Sequence, residues 1–117
     1  MPWTLTVREG SRVHRNGFAD LELVLDELEA RGRALERSAS SAAVDVRVRR
    51  FAPDEQVIAR LELAGPKRLA PGVRAGVDIR GDGSAIAYVG RVRRAALKPR
   101  RGESAYDALR RELSQPT

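Results

Sequence analysis

Five stretches of this chain alternate apolar and polar residues with period two, and that alternation limits the folds open to it. In Trp3-Thr4-Leu5-Thr6-Val7-Arg8, the side chains of Trp3, Leu5 and Val7 share one side. Val44, Val46 and Val48 alternate with Asp45, Arg47 and Arg49. Val57, Ala59, Leu61 and Leu63 oppose Arg60 and Glu62, and Val73, Ala75, Val77 and Ile79 oppose Arg74, Asp78 and Arg80. The fifth stretch, residues 85–92, sets Ile86 and Tyr88 on one face. Ala85, Ala87 and Val89 make the other face apolar too, so its inward side stays open. Strands of this kind build a sheet with one apolar face, and that face has to be covered.

The cover is also written in the chain. Phe18, Leu21, Val24, Leu25, Leu28, Gly32 and Leu35 fall at helical spacing and form one stripe. Acids come early (Asp20, Glu22, Asp26) and bases late (Arg31, Arg33, Arg37), which complements the helix dipole. Asn16 is the expected N-cap, and Ser38 to Ala43 reads as the loop after the helix. Gly32 on the stripe lowers helix propensity by ~1 kcal/mol against Ala, and its missing side chain would let a strand come close. Ser104-Ala105-Tyr106-Asp107 has the form of a capping box with Asp in place of Glu, opening a short helix striped by Tyr106, Leu109 and Leu113. Gly81-Asp82-Gly83-Ser84 is a hairpin turn, and Arg12 to Arg15 reads as a short extended segment.

The predicted fold class is therefore α+β: a two-layer sandwich with a mostly antiparallel five-stranded sheet and two helices on one face, in the order β-α-β-β-β-β-α. At 117 residues the expectation is a single domain spanning residues 1–117.

Much chemistry is excluded. There is no cysteine, so no disulfide, zinc–thiolate set or thiol nucleophile; with one histidine there is no multi-histidine metal site. His14 lies near Ser11 and Glu9, but nothing predicts that they converge as a catalytic triad. The glycine-rich element at 81–84 joins two strands and lacks the helix N-terminus that would hold a phosphate. Arg80-Gly81-Asp82 matches the tripeptide of adhesion ligands, and the turn itself accounts for it. No catalytic residue, cofactor or metal is expected, and the protein reads as non-enzymatic. The N-terminus lacks a basic start followed by an apolar run, and nothing approaches the ~18 apolar residues of a membrane span. The expected location is the cytoplasm, without a membrane partner.

Charge is the remaining signal. The net charge is +6, and Lys67 and Lys98 are the only lysines among 22 basic side chains. Residues 19–37 carry a net −3, whereas residues 65–102 hold ten bases and two acids. Arg91, Arg93, Arg94, Lys98, Arg100 and Arg101 form a stretch with no acid. A guanidinium meets phosphate bidentately and stays charged at any biological pH. These six are the first candidates for binding an anionic macromolecule, most of all RNA. Arg47, Arg49, Arg60, Arg74 and Arg80 follow, on the sheet face away from the helices. Tyr88 and Phe51 are the only aromatic residues that could act as stacking platforms, and both are expected in the core, so contacts should go mainly to the backbone. Against this stands a homo-oligomeric interaction module without nucleic acid, in which Asp45, Glu62 and Asp78 neutralise the same arginines.

The order of elements and the opening of the last helix, Glu103-Ser104-Ala105-Tyr106-Asp107-Ala108-Leu109, are faintly similar to small ribosome-hibernation proteins. Those bind ribosomal RNA through a sheet and basic helices, which the resemblance implies here. It covers the element order and about the last dozen residues; the acidic first helix and the extra hairpin at 73–92 depart from that family.

Overall fold

The computed structural model describes residues 2–45, 57–65, 74–90 and 94–114. The elements, in chain order, are β1 (Trp3–Glu9), β2 (Arg12–Phe18), α1 (Leu21–Asp45), β3 (Val57–Ala64), β4 (Arg74–Arg80), β5 (Ala85–Val89), β6 (Ala95–Ala96) and α2 (Ala105–Ser114). The sheet is antiparallel throughout, in the spatial order β2-β1-β3-β4-β5-β6. The α+β class with two helices over an antiparallel sheet is as the sequence predicts, with six strands instead of five.

The alternation sorts the sheet cleanly. Leu5 and Val7 of β1, Ala59, Leu61 and Leu63 of β3, Ala75, Val77 and Ile79 of β4 and Ala87 of β5 lie in one buried cluster. Val24, Leu25 and Leu28 of α1 and Tyr106 and Leu109 of α2 complete it, so both helices cover the same face. Register explains the ambiguous fifth strand. Ala75 pairs with Val89, Val77 with Ala87 and Ile79 with Ala85, which turns the small residues inward under α2 and leaves Ile86 and Tyr88 outside.

Three local expectations are corrected. First, β2 is a full strand hairpinned to β1, and Asn16 lies inside it opposite Leu5, so it caps nothing. Asp20 caps α1 instead: its Oδ1 accepts the Leu23 N–H at 3.0 Å. Second, α1 does not stop at Ser38. It runs on to Asp45, because buried Ala39 extends the Leu28–Gly32–Leu35 stripe and the alanines that follow favour helix. The strand expected at 44–49 is thus displaced by helix at Val44 and Asp45, while Arg47 and Arg49 lie outside the described residues. Third, the residue that comes close to Gly32 belongs to α2 and not to a strand. A Cβ on Gly32 would collide with the Tyr106 hydroxyl and ring.

Tyr106 locks the helices together. Its hydroxyl donates to Glu36 Oε2 at 2.7 Å, and the Arg33 guanidinium sits 5.0 Å from its ring centroid. Arg110 of α2 reaches Asp26 at 2.8 Å and Glu29 at 3.3 Å on α1. The acidic side of α1 is therefore answered in part from within the chain. The capping box forms as read: Ser104 N–H donates to Asp107 Oδ2 at 3.0 Å and Asp107 N–H to Ser104 Oγ at 3.1 Å. Glu103 accepts from Arg111 and from the Arg100 backbone N–H, and the Arg111 bond holds its carboxyl below the usual range.

Gly32→Ala tests the lock. Alanine favours the helix by ~1 kcal/mol, yet the overpacking it forces typically costs about 1–3 kcal/mol and the hydrogen bond of Tyr106 is put at risk as well. Urea unfolding should show a net loss of about 1–3 kcal/mol, with the sign opposite to helix propensity; equal or higher stability contradicts the packing.

Candidate nucleic-acid interface

The sheet face away from the helices carries the charge. Its side chains form rows whose members lie abreast on adjacent strands. One row runs Arg15, Thr6, Glu62, Gly76, Tyr88, Ala96, and the next runs Val13, Arg8, Arg60, Asp78, Ile86. A third contains Gly17, Thr4, Ala64 and Arg74.

Two arginines on this face are already matched. Arg60 Nε donates to Asp78 Oδ1 at 2.8 Å, and that bond raises the guanidinium pKa. Arg8 Nε donates to Glu62 Oε1 at 2.9 Å. Both are cross-strand pairs of modest worth, about 0.2–1 kcal/mol each at partly exposed sites. They also take Arg60 out of the set of cations facing solvent without a counter-charge. Arg80 lies half-buried at the end of β4, beside the hairpin in which Asp82 accepts the Ser84 N–H at 2.9 Å.

The centre of the face is aromatic. Gly76 on β4 has no side chain, and Tyr88 from β5 lies across the gap; a Cβ on Gly76 would sit 2.6 Å from the Tyr88 hydroxyl oxygen and would strike the Leu61 carbonyl. The Arg94 guanidinium covers the ring at 5.0 Å from its centroid. Tyr88 is thereby 6% exposed on a face without helices. Burial pushes its phenol up to about 12, with Arg94 pulling the other way. An open pocket of about 230 Å³ beside the ring is lined by Glu62, Arg74, Tyr88, Gly90 and Arg94.

Arg74 and Arg94 converge there because β4 and β6 both flank β5: Gly90 N–H donates to the Arg74 carbonyl at 2.9 Å, and Ala95 lies opposite Val89. From β6 the chain runs along the sheet edge, with Leu97 N–H donating to Ala87 O at 2.8 Å. It then presents Lys98, Arg100 and Arg101, all exposed. No ion pair joins a carboxylate to Arg74, Arg94, Lys98 or Arg101 among the described residues, whereas the charge of Arg100 acts on Glu103.

Of the predicted binding residues, the structure thus brings Arg74 and Arg94 together at one pocket, and Lys98, Arg100 and Arg101 follow on the exposed chain that leaves β6 along β5. It ties Arg60 to Asp78 and sets Arg80 apart at the far end of β4. Arg91, Arg93, Arg47, Arg49 and Phe51 lie outside the described residues. The role of Gly76 was not anticipated; its signal is a glycine at an outward position of an otherwise regular strand. No three acidic or histidine side chains among the described residues form a metal-binding group. No described helix is long and apolar enough to cross a membrane. Comparison with known protein families, with curated proteins and with solved structures finds no match.

The two tyrosines of the chain give a pH test. Burial raises both phenols, Tyr88 to about 12 and Tyr106 further, the latter helped by its bond to Glu36. A raised folded pKa means that the folded state holds the proton longer, so this contribution is complete below the ordinary value of about 10 and is lost as pH rises through the folded values. Ultraviolet titration of the native protein should show no tyrosinate near pH ~10, whereas the urea-unfolded chain titrates there. A native transition at the ordinary value would place Tyr88 in water.

Proposed function

We propose that this chain is a small non-catalytic basic domain of the cytoplasm that binds an anionic macromolecule, RNA foremost, through charge contacts to its backbone. The observation that carries it is the pair of exposed arginines without an ion-pair partner among the described residues, Arg74 and Arg94, beside Tyr88, continued by exposed Lys98, Arg100 and Arg101 along the chain after β6. Arg91 and Arg93 extend the same basic stretch in sequence. A polyanion laid along these cations would release condensed counter-ions, which is the main source of affinity for a protein that reads no base edges. Tyr88 supports it from below as the platform on which Arg94 rests. The location follows from the sequence expectation alone.

A second reading, a homo-oligomeric interaction module, is favoured by one observation. Arg60 with Asp78 and Arg8 with Glu62 form the pairs that such a module requires, and they form within a single chain. Sedimentation of the protein alone separates the two readings: a monomer supports the first, a stable dimer the second.

Binding of oligouridylate should fall steeply with salt. For single strands the slope of log K on log salt is about −3.5 if five phosphates are neutralised and about −5 if seven are. Replacing Lys98, Arg100 and Arg101 by Gln should flatten the slope by about 2, while Arg60→Gln should change it by less than about 0.5, since Asp78 already holds that guanidinium. A flat salt response, or equal effects of the two variants, contradicts the proposal.

A further inference from the structure

The opposite margin of the sheet has different chemistry. β2 is the edge strand: it is bonded to β1 on one side and has no strand on the other among the described residues. Residues 12–17 are all exposed. On the helix side β2 presents Arg12, His14 and Asn16, since these lie opposite Glu9, Val7 and Leu5. Between this row and α1 runs a groove of about 210 Å³, with Val7 and Leu35 in its floor and Arg12, His14, Arg31 and Glu9 around it. Arg31 is held by Glu27 at 2.8 Å, whereas no carboxylate pairs with Arg12 or Arg15 among the described residues.

We propose that β2 and this groove form a docking site for an extended acidic peptide that joins the sheet as a further antiparallel strand. Main-chain bonds to an edge strand supply affinity in this mode, and pockets for alternate side chains supply selectivity. The charges choose the occupant. β2 carries two arginines and no acid. Pairing it antiparallel with a second copy about its middle sets Arg15 against Arg15, and any such pairing brings four arginines, two from each copy, and no acid into one short ladder. Like charges directly opposite are destabilising, and such cations are the usual guard against self-pairing of edges. The favoured strand has an acid opposite Arg12, an apolar side chain opposite His14 entering the groove over Val7, and an acid opposite Arg15 on the outer face. This site is separate from the Arg74–Arg101 cations and does not depend on them.

The test uses full-length protein labelled with nitrogen-15 and the blocked peptide acetyl-Thr-Thr-Glu-Val-Thr-Glu-Thr-amide. Amide shifts should move along Arg12–Phe18 and in α1 around Arg31–Leu35. The peptide with Lys for both Glu residues, and the Arg12→Glu/Arg15→Glu protein, should each bind about tenfold or more weakly. N-methylation of one alternating set of peptide amides should abolish binding, and methylation of the other set should leave it within about threefold, because a strand turns only alternate amides to its neighbour. The proposal is overturned by no movement of β2 at millimolar peptide, by equal effects of the two methylation sets, or by equal binding of the Lys peptide. It is also overturned if β2 shifts move with protein concentration alone, which would make a second copy the occupant, or with oligouridylate but not peptide, which would give this edge to nucleic acid.

Discussion

Everything in this molecule follows from burying only one face of its sheet. Leu5, Leu61, Leu63, Val77 and Ile79 are almost wholly withdrawn from water, against Val24, Leu28 and Leu109 of the two helices. With two helices on one side, the apolar residues of β1, β3 and β4 are drawn there. Period-two alternation then sends the charged residues of the central strands β3 and β4 to the other side as a direct consequence. The basic surface is thus not an addition to the fold; it is the remainder of the same pattern that makes the core.

Two glycines refine this arrangement, one in each layer. Gly32 lets Tyr106 settle against α1, and Gly76 lets Tyr88 lie flat on the uncovered sheet. Each ring is then overlaid by an arginine, Arg33 in the first case and Arg94 in the second. The outcomes differ because their surroundings do. Around Tyr106 the acids of α1 are close enough to meet Arg33 and Arg110, through Glu29 and Asp26, so the charges close on themselves. Around Tyr88 the nearest acids already hold Arg8 and Arg60, and Arg94 and Arg74 keep their charge for an outside anion. The same residue types make a structural lock on one side and a candidate interface on the other.

The class of fold was legible because it rests on long-range averages: strands with one apolar side, a helical stripe, a capping box at Ser104 and a turn at Gly81. The misread pieces were decided by tertiary contacts that no local pattern carries. β2 has the sequence of a turn-rich connector, with Asn16 and Gly17 side by side, and becomes a strand only because β1 offers seven residues to pair with. Ser38 to Ala43 look like a loop until Ala39 finds the core. Of the candidate interface, the exposed basic segment 94–101 could be read from charge alone. The neutralisation of Arg60 could not, because it needs the register that places Asp78 opposite.

Mapping backbone amide shifts of the labelled protein during titration with oligouridylate at low salt tests the central claim most directly. The account predicts movement confined to Arg74 and to residues 88–101, with Val24–Leu28 and the β1–β2 hairpin unmoved. Shifts centred on the helices, or none at all, would contradict it.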